Sequence, residues 1–319
     1  MRLRWQSGRG TAAAGLCLVS FLSLGGCVRP ADDHVTRLLR QLPPEQALYA
    51  YFDVKRIRES PSLEPILRNG NMFPGEAGEL AKAAGLDYRA DVDAIALSLG
   101  AKGTHLAVRG RFDEAALRQS LNQAGGDCLE SLRRTPCRVQ PGGSGLAVSL
   151  KLRAHDLLRV AAGKDIAEAG EELASDFQLL VVQARERLEQ GTMFWATFEP
   201  SRADQALAHP PAGLANLRFF ARALQKANRG YFYADQLPDG KLQVTLKASC
   251  ADDSQAASVS NLLTGLNRLA VAALESGKGD DPPPGVQVLR EARIVNTQTT
   301  VVAIWVVDEG TLRAWGGVG

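Results

Sequence analysis

The feature that most constrains this chain is a weak internal repeat. Leu42-Pro43-Pro44-Glu45-Gln46 leads into an aromatic and apolar run from Ala47 to Val54, and Leu188-Glu189-Gln190-Gly191 leads into a second run from Met193 to Pro200. Each run carries an acid near its end, Asp53 or Glu199, and passes into a charged helix start, Lys55-Arg56-Ile57 or Ser201-Arg202-Ala203. Short runs rich in Tyr, Phe and Trp fit a pleated, half-buried strand. A pattern met twice in one chain implies two similar units that share a core or lie side by side.

The rest of each unit repeats in the same order. Helical material follows the opening strand: Ser62 to Leu67 and Gly75 to Gly85 in the first unit, Pro211 to Ala227 in the second. In the latter, Leu214, Leu217, Phe220, Ala221 and Leu224 recur at helical spacing. A hairpin comes next, Val92 to Leu99 turning into His105 to Phe112, and Gly230 to Ala234 turning at Pro238-Asp239-Gly240 into Leu242 to Ala248. Gly240 supplies the positive φ that such a turn needs. Asp113 then caps a helix from Glu114 to Ala124, and Asp252-Asp253-Ser254 opens a longer one to Leu274. Each unit closes with a strand pair: Gly145 to Lys151 with Leu157 to Ala162, and Val286 to Val295 with Thr299 to Val307, the latter joined by Asn296-Thr297-Gln298.

The predicted fold is therefore α+β: two tandem repeats of strand-helix-hairpin-helix-hairpin, with antiparallel sheets and helices packed on one face. The repeats are bounded at 42–165 and 188–319. A helix over 166–187 connects them, with Leu173, Phe177, Leu180 and Val181 available for packing. This order resembles uncharacterised secreted bacterial proteins built from tandem α+β repeats, a resemblance of pattern that implies no activity.

Ahead of the repeats lies a different kind of signal. Arg2, Arg4 and Arg9 precede an apolar or small stretch from Thr11 to Gly26, with no acidic residue before Cys27. About twenty apolar residues are needed to span a bilayer as a helix. The shorter stretch fits the h-region of a secretory signal peptide. Leu24-Gly25-Gly26-Cys27 resembles the lipobox of bacterial lipoprotein signal peptides, with Leu24 at −3 and Gly26 at −1. The resemblance implies cleavage of residues 1–26, diacylglycerol on Cys27 and acylation of its amino group. Each buried CH₂ contributes about 0.8 kcal/mol, so several chains anchor durably. Residues 27–41 then read as a lipidated tether. Val28, rather than Asp, after the modified cysteine favours the outer membrane, facing the periplasm, over the inner one.

Composition bounds the partners. Removing Arg2, Arg4 and Arg9 from the 37 basic side chains leaves 34 against 35 acidic ones. A near-neutral body with no basic block has no electrostatic footprint for nucleic acid. With Cys17 in the leader and Cys27 modified, Cys128, Cys137 and Cys250 remain. Cys128 and Cys137 flank a short stretch and can pair in an oxidising compartment, the alternative being buried free thiols.

The sequence offers no convincing reactive constellation. His155-Asp156 follows a strand containing Ser149, but an adjacent His and Asp do not normally supply the orienting bond of a triad. His34, His105, His155 and His209 are scattered, and no C-x-x-C exists, so no metal ligand set and no cofactor are expected. Gly142-Gly143-Ser144-Gly145 leads into a strand and lacks the Lys-Ser/Thr of a phosphate loop. Glu171-Glu172 and Asp252-Asp253 sit at helices as solvated or capping acids. Tyr49, Tyr51, Phe194, Trp195, Tyr231, Tyr233 and Trp305 fall in strands. Consecutive Phe194 and Trp195 must face opposite sides. The expectation is a non-catalytic envelope lipoprotein, held to the membrane by its lipid, that binds an envelope protein or plays a structural part. The alternatives are a carrier or sensor of an apolar small molecule and, further off, a periplasmic hydrolase using His155.

Overall fold

The computed structural model describes residues 34–317, apart from 45, 64–86, 88, 101–102, 129, 141–146, 164–174, 207–221 and 277–284. Its strands are β1 (Leu48–Phe52), β2 (Val92–Gly100), β3 (Gly103–Gly110), β4 (Cys137–Val139), β5 (Ala147–Ala154), β6 (Leu157–Gly163), β7 (Thr192–Phe198), β8 (Ala227–Gln236), β9 (Leu242–Cys250), β10 (Arg293–Thr297) and β11 (Thr300–Val307). The helices are α1 (His34–Leu39), α2 (Val54–Glu59), α3 (Glu114–Gln123), α4 (Ser175–Glu189), α5 (Pro200–Ala206), α6 (Asp253–Glu275), α7 (Val286–Arg290) and α8 (Glu309–Gly317).

All of the strands join in one 11-stranded antiparallel sheet, in the order β10-β11-β9-β8-β7-β1-β2-β3-β6-β5-β4. The two opening strands make the seam. β1 lies antiparallel to β7, with Ala50 opposite Ala196, Tyr51 opposite Trp195 and Phe52 opposite Phe194. Outward from the seam, one half runs β1-β2-β3-β6-β5 and the other β7-β8-β9-β11-β10.

Because neighbouring side chains alternate, every strand contributes to two faces. The front face carries Ala50, Phe52, Ile95, Val108, Leu158 and Val160, and on the other side of the seam Phe194, Phe198, Phe232, Leu246, Ala248, Val301 and Ala303. Phe52 and Phe194 meet across the seam as a tilted pair with ring centroids 4.6 Å apart, and Phe232 meets Phe194 edge-on at 5.5 Å. Gly230 lets the Phe198 ring lie against the β8 backbone, where any Cβ would collide with it. Leu117 and Leu121 of α3 cover the front of the first half, and Ala256, Val259 and Leu263 of α6 cover the front of the second.

The back face carries Tyr49, Tyr51, Ala94, Ala96, Ala107 and Trp195, packed under Val35, Leu38 and Leu39 of α1 and Leu180, Val181 and Ala184 of α4. Helices therefore pack on both faces, not on one. The reason lies in strands such as β2, whose nine residues are almost all buried and apolar on both sides and so need cover on both.

Local chemistry fixes several boundaries. The Asp113 carboxylate accepts from Ala115 and Ala116 N–H, that of Asp252 from Gln255 N–H at 2.8 Å, and that of Asp53 from Arg56 N–H at 2.9 Å, each satisfying donors that a helix start leaves open. Gly240 has φ 82° and closes the β8–β9 turn. Other expectations change. The lipidated tether expected over 27–41 gives way at His34 to α1, which is anchored in the core. Val286 to Arg290, expected as strand from its β-branched residues, is helical, with Val286 and Val288 buried and Gly285 at φ 100° before it. Three-residue β4 was not expected at all. It hangs on β5, and Cys137 at its start is joined by a disulfide to Cys128, Cα to Cα 4.8 Å. Of the helix expected over 62–67 only Ser62 and Leu63 are described, in a turn; the helix expected over 75–85 lies outside the described residues, as do 211–221 of the one expected over 211–227, whose last residue, Ala227, instead opens β8. Leu173 and the side chain of Phe177 also lie outside them.

Candidate functional site

The back face is closed in one half and half open in the other. In the closed half, α1 and α4 shut away polar groups as well as apolar ones. Ser98 on β2 stands opposite His105 on β3, at 0% and 5% exposure, and Arg159 on β6 is buried beside them. The Ser98 hydroxyl and His105 Nδ1 make no hydrogen bond. Burial, with Arg159 second, lowers the His105 pKa from 6.5 to about 4, so the imidazole is neutral near pH 7. Arg37 of α1 reaches across to Asp156 with two bonds, 3.0 and 2.8 Å. Burial pushes the Asp156 pKa up, but the hydrogen bond and charge of Arg37 outweigh it and hold the group below its ordinary value. Tyr49 OH donates to Pro43 O and accepts from Gln46 N–H, both at 3.0 Å, which pins the loop after α1 over the same face.

In the other half, the cross-strand rows continue through Tyr231 and Tyr233 of β8, Lys247 of β9, Val302 and Ile304 of β11 and Val295 of β10. Tyr231, Tyr233, Lys247, Val302 and Ile304 are only partly buried, and Val295 is 50% exposed. Arg187 at the end of α4 lies 4.4 Å from the centre of the Tyr233 ring, so that helix reaches the border of this surface. The hydroxyl of buried Thr197 donates to Gly230 O and so needs nothing from solvent. Among the described residues, this leaves a partly exposed surface of aromatic and β-branched side chains with Lys247 among them. Aromatic side chains such as these carry large contact area.

A groove of about 480 Å³ lies at the front of the same half, between α6, α7 and β10. Its lining is mixed: Val271, Leu289 and Ile294 beside Asn267, Arg268 and Arg290. Arg290 is held by Glu275 at 2.6 Å, and Asn267 donates to Leu289 O at 2.7 Å.

The residues singled out from sequence are dispersed. Cys27, Gly142 to Gly145, Glu171-Glu172 and His209 lie outside the described residues. His155 is exposed at the β5–β6 turn, while Asp156 is committed to Arg37. Asp252 is a helix cap with Asp253 beside it in the first turn. Trp195 is buried on the back face and Phe194 packs against Phe52 on the front, as their adjacency requires. Cys250 is buried, and burial, then Asp252, raises its thiol pKa. Among the described residues, no group of three His, Cys, Asp or Glu is placed to hold a metal, and no helix is long and apolar enough to cross a membrane. Sequence reasoning missed the Ser98–His105 pairing, which depends on the β2–β3 register, and Arg37–Asp156, which joins residues 119 apart.

No family model and no curated protein matches the chain. Among solved structures, crystal form III of TP0453 aligns with a TM-score of 0.46 at 12% identity, over 87% of this chain and 96% of that one. Crystal form IV aligns with a TM-score of 0.43 at 13% identity, over 87% and 94%. Likenesses this low assign neither a family nor a function.

Proposed function

We propose that the protein is a non-catalytic cell-envelope lipoprotein, anchored through Cys27 at the outer membrane and facing the periplasm, whose body binds another envelope component. The observation that carries this reading is the asymmetry of the back face, where Tyr231, Val302 and Ile304 sit partly exposed in continuation of rows that are buried on the other side of the seam. The lipobox-like Leu24-Gly25-Gly26-Cys27 supports the location. The body is read as two tandem repeats, since each half lays its strands in the same order out from the seam. A photocrosslinking residue at Tyr231 should capture a partner in intact envelope, and one at buried Ala96 should capture none. Recovery of the lone chain from both positions would sink the reading. Cys27→Ala should abolish palmitate labelling; labelling that survives removes the anchor.

A second reading, a carrier or sensor of a small molecule, is favoured by the groove beside α6, whose volume of about 480 Å³ falls within the range of ligand sites. Arg268 in its lining suits an amphipathic acid better than a wholly apolar ligand, whereas Arg290 is already paired with Glu275. Fatty acid titrated against the protein should change Trp305 fluorescence, because Trp305 Nε1–H donates to Asn267 in that lining at 3.3 Å. An unchanged spectrum at saturating ligand removes this reading.

A further inference from the structure

The two edges of the sheet are finished differently. At one, Cys137 and Val139 of three-residue β4 are buried, the disulfide ties the strand to Cys128, and Asp127 bridges to Arg138. At the other, β10 pairs only with β11 among the described strands, and it contains no proline. Natural edge strands are usually blunted by bulges, prolines or inward charges, and an edge left plain is a template for another strand.

The register of β10 determines which groups it offers. Thr297 and Thr300 close the two-residue hairpin at Gln298 and Thr299. The closing pair of such a hairpin exchanges its hydrogen bonds across the turn, and pairs alternate from there. Thr297, Val295 and Arg293 therefore direct their main-chain groups to β11, and Ile294 and Asn296 direct theirs outward.

We propose that β10 is a self-association edge, pairing antiparallel with β10 of a second copy about a two-fold axis at Val295. This partner goes beyond the functional reading and does not depend on the lipid anchor. In that register Ile294 faces Asn296 of the other copy, so every outward N–H and C=O of those two residues meets its complement. Val295 meets Val295 in the close, non-hydrogen-bonded position, covering a side chain that is 50% exposed. Arg293 faces Thr297, so no like charges are opposed. The two half-open back faces then run on as one surface, because a two-fold perpendicular to the sheet keeps each face on its own side.

The test is positional trapping in the full chain, in intact envelope and again after detergent extraction. Val295→Cys brings two Cα atoms to about 4.5 Å in this register, within disulfide reach. Arg293→Cys leaves its two copies about 13 Å apart, four residues along the strand. Mild oxidation should therefore give a dimer on non-reducing gels with Val295→Cys and only the parent chain's background with Arg293→Cys. Adding Asn296→Pro to Val295→Cys removes an outward N–H and should abolish the dimer while the melting temperature stays near that of the parent. The proposal is overturned if Val295→Cys reacts with maleimide yet gives no dimer, if both positions trap equally, or if Val295→Cys is trapped only to a different protein. That last result would leave the partner-binding reading standing, so the two can fail separately.

Discussion

Tyr51 and Tyr231 are both back-face tyrosines of central strands, yet one is sealed at 0% exposure under α1 and α4 and the other is partly exposed. The first half treats its back face as core. It stacks two helices there, locks one of them with Arg37–Asp156 and tolerates a buried imidazole. Beyond β7, whose Trp195 joins the closed back face, the second half keeps its hydrophobic packing at the front, under α6, and leaves tyrosines and valines on the back only partly buried. Similar strands in similar order thus reach different ends, according to which helices lie over them. On the proposed reading, a partner would dock on the half with partly exposed apolar surface.

That contrast can be broken most directly at its two tyrosines. Tyr51→Ala should lower unfolding free energy by about 3–5 kcal/mol, as for other large buried aromatics, and Tyr231→Ala by only about 1 kcal/mol. Equal losses in denaturant melts would mean that both faces are core. Next in size is the closed half's staple. Cys137→Ser opens a loop with a sequence separation of 9 and should cost about 2.5 kcal/mol, removed equally by reductant in the parent chain.

The buried histidine gives a pH signature that the open half lacks. With a folded pKa of about 4 against 6.5 unfolded, the unfolded chain binds more protons within that window. Stability is then fully present above pH 6.5 and is lost as pH falls towards 4. His105→Gln should flatten that slope, by about 1–2 kcal/mol after allowance for partial screening, in thermal melts across the window. Asp156→Asn should cost about 1 kcal/mol, read as faster hydrogen exchange in α1 than in α6. In the parent chain the Arg37 contribution is present above the ordinary Asp pKa of 3.8 and fades as pH falls below it. Smallest of all, Val302→Lys should shift stability by no more than about 0.5–1 kcal/mol while removing partner crosslinking.

Much of the architecture was legible because the signals were long or local. The hairpin at Pro238-Asp239-Gly240, the caps at Asp113 and Asp252, and the aromatic opening strands each carry their own explanation. What escaped was short or depended on distant residues. α1 has six residues, too few to show a period, and takes its order from the core it joins. Val286 to Arg290 has the composition of a strand, but burial of Val286 and Val288 against neighbouring elements decides otherwise. The two-sided helix cover was written in the nearly unbroken apolar run of β2, which alternation-based reading takes for a one-sided strand. The candidate surface was legible only as aromatics in strands. Which of them stay partly exposed depends on where α4 ends, a tertiary fact.

The seam between β1 and β7 has a consequence for the order of folding. Phe52 pairs with Phe194 and Leu48 with Phe198, so this ladder joins residues separated by most of the first half of the body. The β2–β3 ladder needs only a tight turn. Closing the longer loop costs more entropy before any contact rewards it. The first half can fold as it leaves the ribosome, while β1 waits with one edge bare until β7 is made. In pulse-labelled hydrogen exchange, amides bonded across β2–β3 should gain protection before those bonded across the seam. A chain stalled before Thr192 should be prone to sticking along β1, the strand that becomes the centre of the finished sheet.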